Sequence, residues 1–227
     1  MLLEWLLFVP FISSLQERHN KLAHGKMVWD LKEYYFMASL QVKDINGNWI
    51  PNCGATILNA EWLVTAGHCV AGFDKKKLAV VVGTADLDEP EHGQTIGVSQ
   101  MIVHEDFAIK IGKTKSGEHN YTYNDIAVIK LAKKLKFGSE VGPVKLVKSE
   151  DDKFPKFGQK ATVLGWGLNE FGRRSSQLEY ASQNVYNKET CLTEYPADLQ
   201  EMIVCAGKEF KGPCPGDSGG PLVLPYE

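Results

Sequence analysis

Close to the C-terminal end, the run Gly216-Asp217-Ser218-Gly219-Gly220-Pro221 sets one serine among glycines. Glycine lacks the Cβ that restricts φ and ψ, so the backbone around Ser218 can turn sharply and aim N–H groups inward. A serine hydroxyl beside convergent N–H groups is the arrangement that acyl transfer needs. The same residue types also build surface turns, so the run alone leaves both readings open. A nucleophilic serine needs a base, and histidine suits because it titrates near neutrality. Among the histidines, His68 has an unusual setting, Leu63-Val64-Thr65-Ala66-Gly67-His68-Cys69. Small residues follow an apolar run there, and a cysteine could pin the loop. The base in turn needs a carboxylate to hold its tautomer. Asp125 stands at the mouth of Ile126-Ala127-Val128-Ile129. Burial at that place is costly unless something such as His68 pairs with it. A structural histidine and a turn-forming aspartate are the plain alternatives for each residue taken alone.

These side chains need a scaffold, and the chain offers strands. Short β-branched and aromatic runs recur: 35–42, 55–58, 78–82, 126–131 and 161–164. Asn46-Gly47, Asp88-Glu89-Pro90 and Asn169-Glu170-Phe171-Gly172 separate them as turn signals. The pattern predicts an all-β sandwich or barrel. One helical turn is expected near Lys188-Glu189-Thr190-Cys191, and the polar stretch 148–153 marks a junction between two strand-rich halves. At 227 residues, 44% hydrophobic and 23% charged, the chain can bury a sizeable core. A net charge of -3 argues against a nucleic-acid partner. The basic runs Lys75-Lys76-Lys77 and Lys133-Lys134-Leu135-Lys136 read as solvated positions.

The N-terminal stretch from Met1 to Ile12 is apolar except for Glu4. It is too short to span a bilayer, which takes about 20 residues, so no membrane anchor is expected. Its length suits a signal peptide with Ser13 and Ser14 at the cleavage site, although a basic start is missing. A misassigned start or a buried N-terminal strand remain the alternatives. The sequon Asn120-Tyr121-Thr122 agrees with secretion and marks Asn120 for glycosylation. Five cysteines are present, an odd count.

His68, Asp125 and Ser218 in that chain order, with Thr65-Ala66-Gly67-His68-Cys69, Asp125-Ile126-Ala127-Val128, Gly165-Trp166-Gly167 and the run around Ser218, resemble the chymotrypsin-like serine proteases. The resemblance runs from about Leu22 to Glu227. It implies two antiparallel six-stranded β-barrels with the site between them. Residues 1–14 would be a signal peptide, 15–21 a pro-segment, 22–147 the first barrel and 148–227 the second. It implies that Ser218 attacks the scissile carbonyl, that His68 moves the proton, that Asp125 orients His68, and that the N–H groups of Gly216 and Ser218 bind the oxyanion. It also implies disulfides Cys53–Cys69 and Cys191–Cys205, with Cys214 left over within this chain. Protein or peptide substrates, proteinaceous inhibitors, a secreted monomer and no cofactor or metal complete the expectation.

The chain departs from the family pattern at several places. Activation there follows cleavage before an Ile/Val-Val-Gly-Gly type start, whose new amino group pairs with the Asp before the serine. Here that would be cleavage after Lys21, freeing Leu22 to reach Asp217, with His24 standing where a glycine is usual. Gly212 occupies the pocket floor, where an aspartate favours Lys/Arg substrates; with Pro213 and Pro215 beside it, apolar or small side chains are expected instead. Thr84 and Gln94 stand where calcium-binding carboxylates would be needed. Family members continue past residue 227. The resemblance therefore implies an incomplete second barrel with an open edge, and a chain that is unstable and weakly active by itself. The alternative reading is an inactive protease-fold binding module or a non-functional truncated isoform.

Overall fold

The computed structural model describes residues 3–7, 25–114, 117–146, 155–169, 172–187, 195–200, 203–207 and 212–225. The strands in chain order are β1 (Leu3–Leu7), β2 (Lys26–Met27), β3 (Met37–Lys43), β4 (Trp49–Ile57), β5 (Trp62–Thr65), β6 (Leu78–Val82) and β7 (Gln94–Val103). They continue with β8 (Ala108–Thr114), β9 (Gly117–Tyr123), β10 (Ala127–Leu131), β11 (Lys160–Gly165), β12 (Glu179–Val185), β13 (Ala206–Gly207) and β14 (Leu222–Pro225). Among the described residues, single 3-10 turns are the only helical elements between them. The five apolar runs read from the sequence fall on β3, β4, β6, β10 and β11. The helical turn expected near 188–191 lies outside the described residues.

Six strands close a barrel in the order β10-β5-β4-β3-β6-β7, with β7 returning to β10. Alternation drives the closure. In β10, Ala127, Ile129 and Leu131 are buried while Val128 and Lys130 are half-buried, which is the period of a strand with one face on the core. Leu40, Ile57, Leu63, Val80 and Ile129 fill the interior. The second sheet runs β1-β14-β11-β12-β13, with β2 on β12. A second apolar cluster joins the halves: Phe36 and Met37 of the first pack with Leu164, Trp166, Leu178 and Val223 of the second. That shared core fixes how the two halves face one another, and so fixes any site built from both.

The second sheet is open, as expected, but its edge does not lie at β14. Leu3–Leu7 pairs antiparallel with β14, from Leu3 opposite Pro225 to Leu7 opposite Leu222. The edge backbone of β14 is satisfied by an apolar strand laid beside it. Residues inside the stretch read as a leader are thus a strand of the second sheet in this structure.

Candidate active site

His68 lies on a 3-10 turn, Gly67–Cys69, directly after β5. Cys69 is bonded to Cys53 of β4, so the turn is tied to the barrel wall. Glycine at 67 is required by its surroundings: a Cβ there would lie 2.9 Å from Phe107 Cδ2 and 3.2 Å from Asp125 Oδ1. Asp125 arrives from the start of β10. The preceding Asn124 has φ +49, an uncommon left-handed conformation that asparagine tolerates. Its side chain donates to the Asp106 carbonyl at 3.1 Å, and the bend it makes carries Asp125 inward. Asp125 is 1% exposed. Its Oδ1 accepts the His68 backbone N–H at 2.7 Å, and its Oδ2 stands 2.6 Å from His68 Nδ1. Facing a carboxylate, which when ionised only accepts, a neutral imidazole would carry its proton on Nδ1 and keep a lone pair on Nε2. That lone-pair nitrogen lies 3.6 Å from Cys69 Sγ.

Ser218 enters from the second half and docks on the first. Its carbonyl accepts the Gly54 N–H at 2.8 Å, and Thr65 Oγ1 donates to the Gly54 carbonyl at 2.8 Å. Gly219 has φ +77, and a Cβ on it would collide with Thr65 Oγ1. Gly54 must also be bare: a Cβ there would lie 2.8 Å from Gly220 Cα and 2.9 Å from its N. Among the described residues, Ser218 Oγ has no hydrogen-bond partner. Thus the structure brings His68 and Asp125 into direct contact and sets Ser218 against the strands that carry them, with its hydroxyl unengaged.

Asp217 faces the opposite way. It is 5% exposed, and its two carboxylate oxygens accept N–H groups of Gly167 and Cys214, each at 2.8 Å. Burial is the dominant influence and pushes its carboxyl up to about 6. The two N–H bonds oppose that shift, Glu179 adds to it and Arg174 acts against it. No cation is bonded to it among the described residues. Gly216 has φ +103, and Pro215 accepts the Leu168 N–H at 3.0 Å.

The remaining predicted positions fall as follows. Gly212 and Pro213 are half-buried and Pro215 is exposed, and among the described residues a Cβ on Gly212 would meet nothing within 4 Å. Asn120 is exposed on β9. Cys205 is disulfide-bonded, while Cys191, Lys21 and Leu22 lie outside the described residues. Cys214 is buried behind Asp217. The proximity of Cys53, His68 and Cys69 offers no metal site, because both sulfurs are consumed in the disulfide. Thr84 donates to the Asp86 carbonyl, and Gln94 bonds both backbone groups of Lys136, so neither side chain is oriented as a loose ion ligand. Sequence reasoning overlooked Gly54, Thr65 and Asn124. Gly54 carried a signal, since a glycine inside a strand marks close backbone approach.

Comparison with known proteins adds four findings. The family model described as Trypsin matches residues 30–226. Trypsin-1 of Astacus astacus is 35% identical over 183 residues, covering 75% of this chain and 70% of that protein. Trypsin delta of Drosophila erecta is 32% identical over 177 residues, covering 76% of this chain, which spans 64% of the fly protein's length. Among solved structures, neuropsin, a serine protease expressed in the limbic system of mouse brain, aligns with a TM-score of 0.70 at 29% identity. It covers 89% of this chain and 82% of its own.

Proposed function

The chain belongs to the trypsin family of serine proteases, and from that premise we propose that it is a secreted serine endopeptidase working through an acyl-enzyme on Ser218. The observation that carries this reading is the paired contact of Asp125 with both the ring and the backbone of His68. Such a pair has one function that a structural role does not require: it leaves Nε2 free to accept a proton. In the proposed reaction, Ser218 Oγ attacks the substrate carbonyl carbon as its proton passes to Nε2. The charge that develops on the carbonyl oxygen is held by the N–H groups of Gly216 and Ser218. His68 then protonates the departing amine, and water repeats the sequence to release the acid. Proteins or peptides are the substrates, and proteinaceous inhibitors would fill the same cleft of a monomer.

Asp217 supports synthesis as a zymogen. A buried carboxylate held only by N–H groups is incompletely compensated. Cleavage after Lys21 would free the Leu22 ammonium, a cation of the right kind to pair with it. For selectivity, the lack of a carboxylate at Gly212 favours apolar or small side chains over Lys or Arg. Asn120 and Thr122 alternate with the buried Tyr121 and so share the outer face of β9, which suits glycosylation of Asn120. Among the described residues, no helix is long and apolar enough to cross a membrane.

The second reading, an inactive binding module, has one observation in its favour: Ser218 Oγ makes no bond to His68. Turnover of a mixed peptide library by protein cleaved after Lys21 separates the two. The endopeptidase reading expects cleavage that vanishes in Ser218→Ala. Equal product from wild type and Ser218→Ala, or none from either, would favour the module.

A further inference from the structure

Arg174 brings a cation to the residue that would bind the oxyanion. A Cβ built on Gly216 would lie 3.0 Å from Arg174 Nη1. The described backbone beside Arg174 is bonded to its neighbours. Leu168 and Arg174 form an antiparallel bridge, the Leu168 N–H donates to the Pro215 carbonyl at 3.0 Å, and the Ser175 N–H donates to the Gly167 carbonyl at 3.2 Å. Inside it, the Arg173 N–H donates to Asn169 Oδ1 at 3.1 Å and the Asn169 N–H to the Arg173 carbonyl at 2.8 Å. The side chain is exposed, and among the described residues it forms no ion pair. The acidic groups with which it shares a neighbourhood are Asp217 and Glu179. Asp217 is buried with both oxygens already accepting N–H groups.

A guanidinium offers a rigid fork of donors matched to a carboxylate, and holding it on a hydrogen-bonded backbone lowers the entropy lost when it binds. A Cβ on Gly216 would also lie 2.9 Å from Gly167 Cα, so that side of Gly216 is packed; a substrate carbonyl placed on the Gly216 N–H would bring the flanking substrate residues past Gly216, within reach of the exposed fork. We propose that Arg174 is a specificity-determining residue that binds a side-chain carboxylate of the substrate next to the scissile bond. The proposal rests on the serine endopeptidase reading. It does not involve Gly212, which concerns a different substrate side chain.

The test uses peptides with amidated C-termini that carry Asp, Glu, Asn or Gln at single positions on either side of one scissile bond. Their Kd is measured on Ser218→Ala protein cleaved after Lys21, so the readout does not depend on turnover. At one flanking position the acids bind about fivefold tighter than the amides, the scale of a partly exposed ion pair. Raising the salt shrinks the preference. Adding Arg174→Ala removes it without weakening the amide peptides, and Arg174→Lys restores part of it. Equal binding of acids and amides at every position would overturn the proposal. So would an equal loss for acidic and neutral peptides in Arg174→Ala, which would mark Arg174 as a counter-charge for Asp217. Failure of the endopeptidase reading registers separately, as absent turnover in protein with Ser218 intact.

Discussion

The two halves of the molecule differ in how far each has completed its share of the site. The first half is a closed barrel, and its two contributions are already joined: a disulfide pins the His68 turn, and Asp125 grips both ring and backbone. The second half is an open sheet that supplies Ser218 and Asp217. There the hydroxyl is unengaged, and the buried carboxylate is held by N–H groups alone. The contrast teaches that the His68–Asp125 contact is assembled by folding alone, whereas on the proposed reading the nucleophile's surroundings would wait on the Leu22 ammonium. It also locates where the site is vulnerable, at the contact of Ser218 with Gly54 across the junction.

Breaking the finished half should have the largest effect. Asp125→Asn preserves shape but reverses what Nδ1 can do, and kcat/KM should fall by about 10⁴. Thermal unfolding measured beside the kinetics separates lost chemistry from lost fold. A smaller effect is expected at the junction. In Gly54→Ala the new methyl meets backbone atoms of Gly220, which cannot rotate away. A stability loss of about 1–3 kcal/mol by denaturant titration should follow, with activity falling more than stability as Ser218 is displaced. Stability unchanged in that variant would mean the junction is looser than its contacts indicate.

The last predicted effect concerns the unfinished half, touches stability and not activity, and is informative through its sign. In the uncleaved chain the folded Asp217 carboxyl titrates at about 6, above its ordinary value of 3.8. Its proton is therefore held more tightly in the folded state, so folding is favoured at low pH and loses stability as pH rises from about 4 through 6. The change should be on the order of 1–3 kcal/mol and absent in Asp217→Asn. Pairing with the Leu22 ammonium would depress that carboxyl and reverse the slope, so that stability is lost on acidification. Melting curves against pH before and after cleavage at Lys21 report the reversal. An unchanged slope would refute the pairing.

Much of this was readable in advance where a local rule applied. The strands were legible because β-branched runs such as Leu78–Val82 have one dominant conformation. The pairing of Asp125 with His68 was legible because a carboxylate entering an apolar strand needs a partner. Gly54 was missed because its role appears only when a segment more than 150 residues later folds against it. The sequence left residues 1–12 open between a leader and a buried strand, because an apolar stretch has the same composition in either, and the β14 edge that residues 3–7 pair with lies at the far end of the chain. Arg174 looked like any loop cation until the fold brought it to Gly216.

The central claim is that Ser218 is a nucleophile activated through His68 and Asp125. Labelling by a fluorophosphonate, located by peptide mass spectrometry on protein cleaved after Lys21, tests it most directly. The account predicts one modified residue, Ser218, at a rate at least about a hundredfold lower in Asp125→Asn. No label on Ser218 in the cleaved protein, or an undiminished rate in Asp125→Asn, would contradict it.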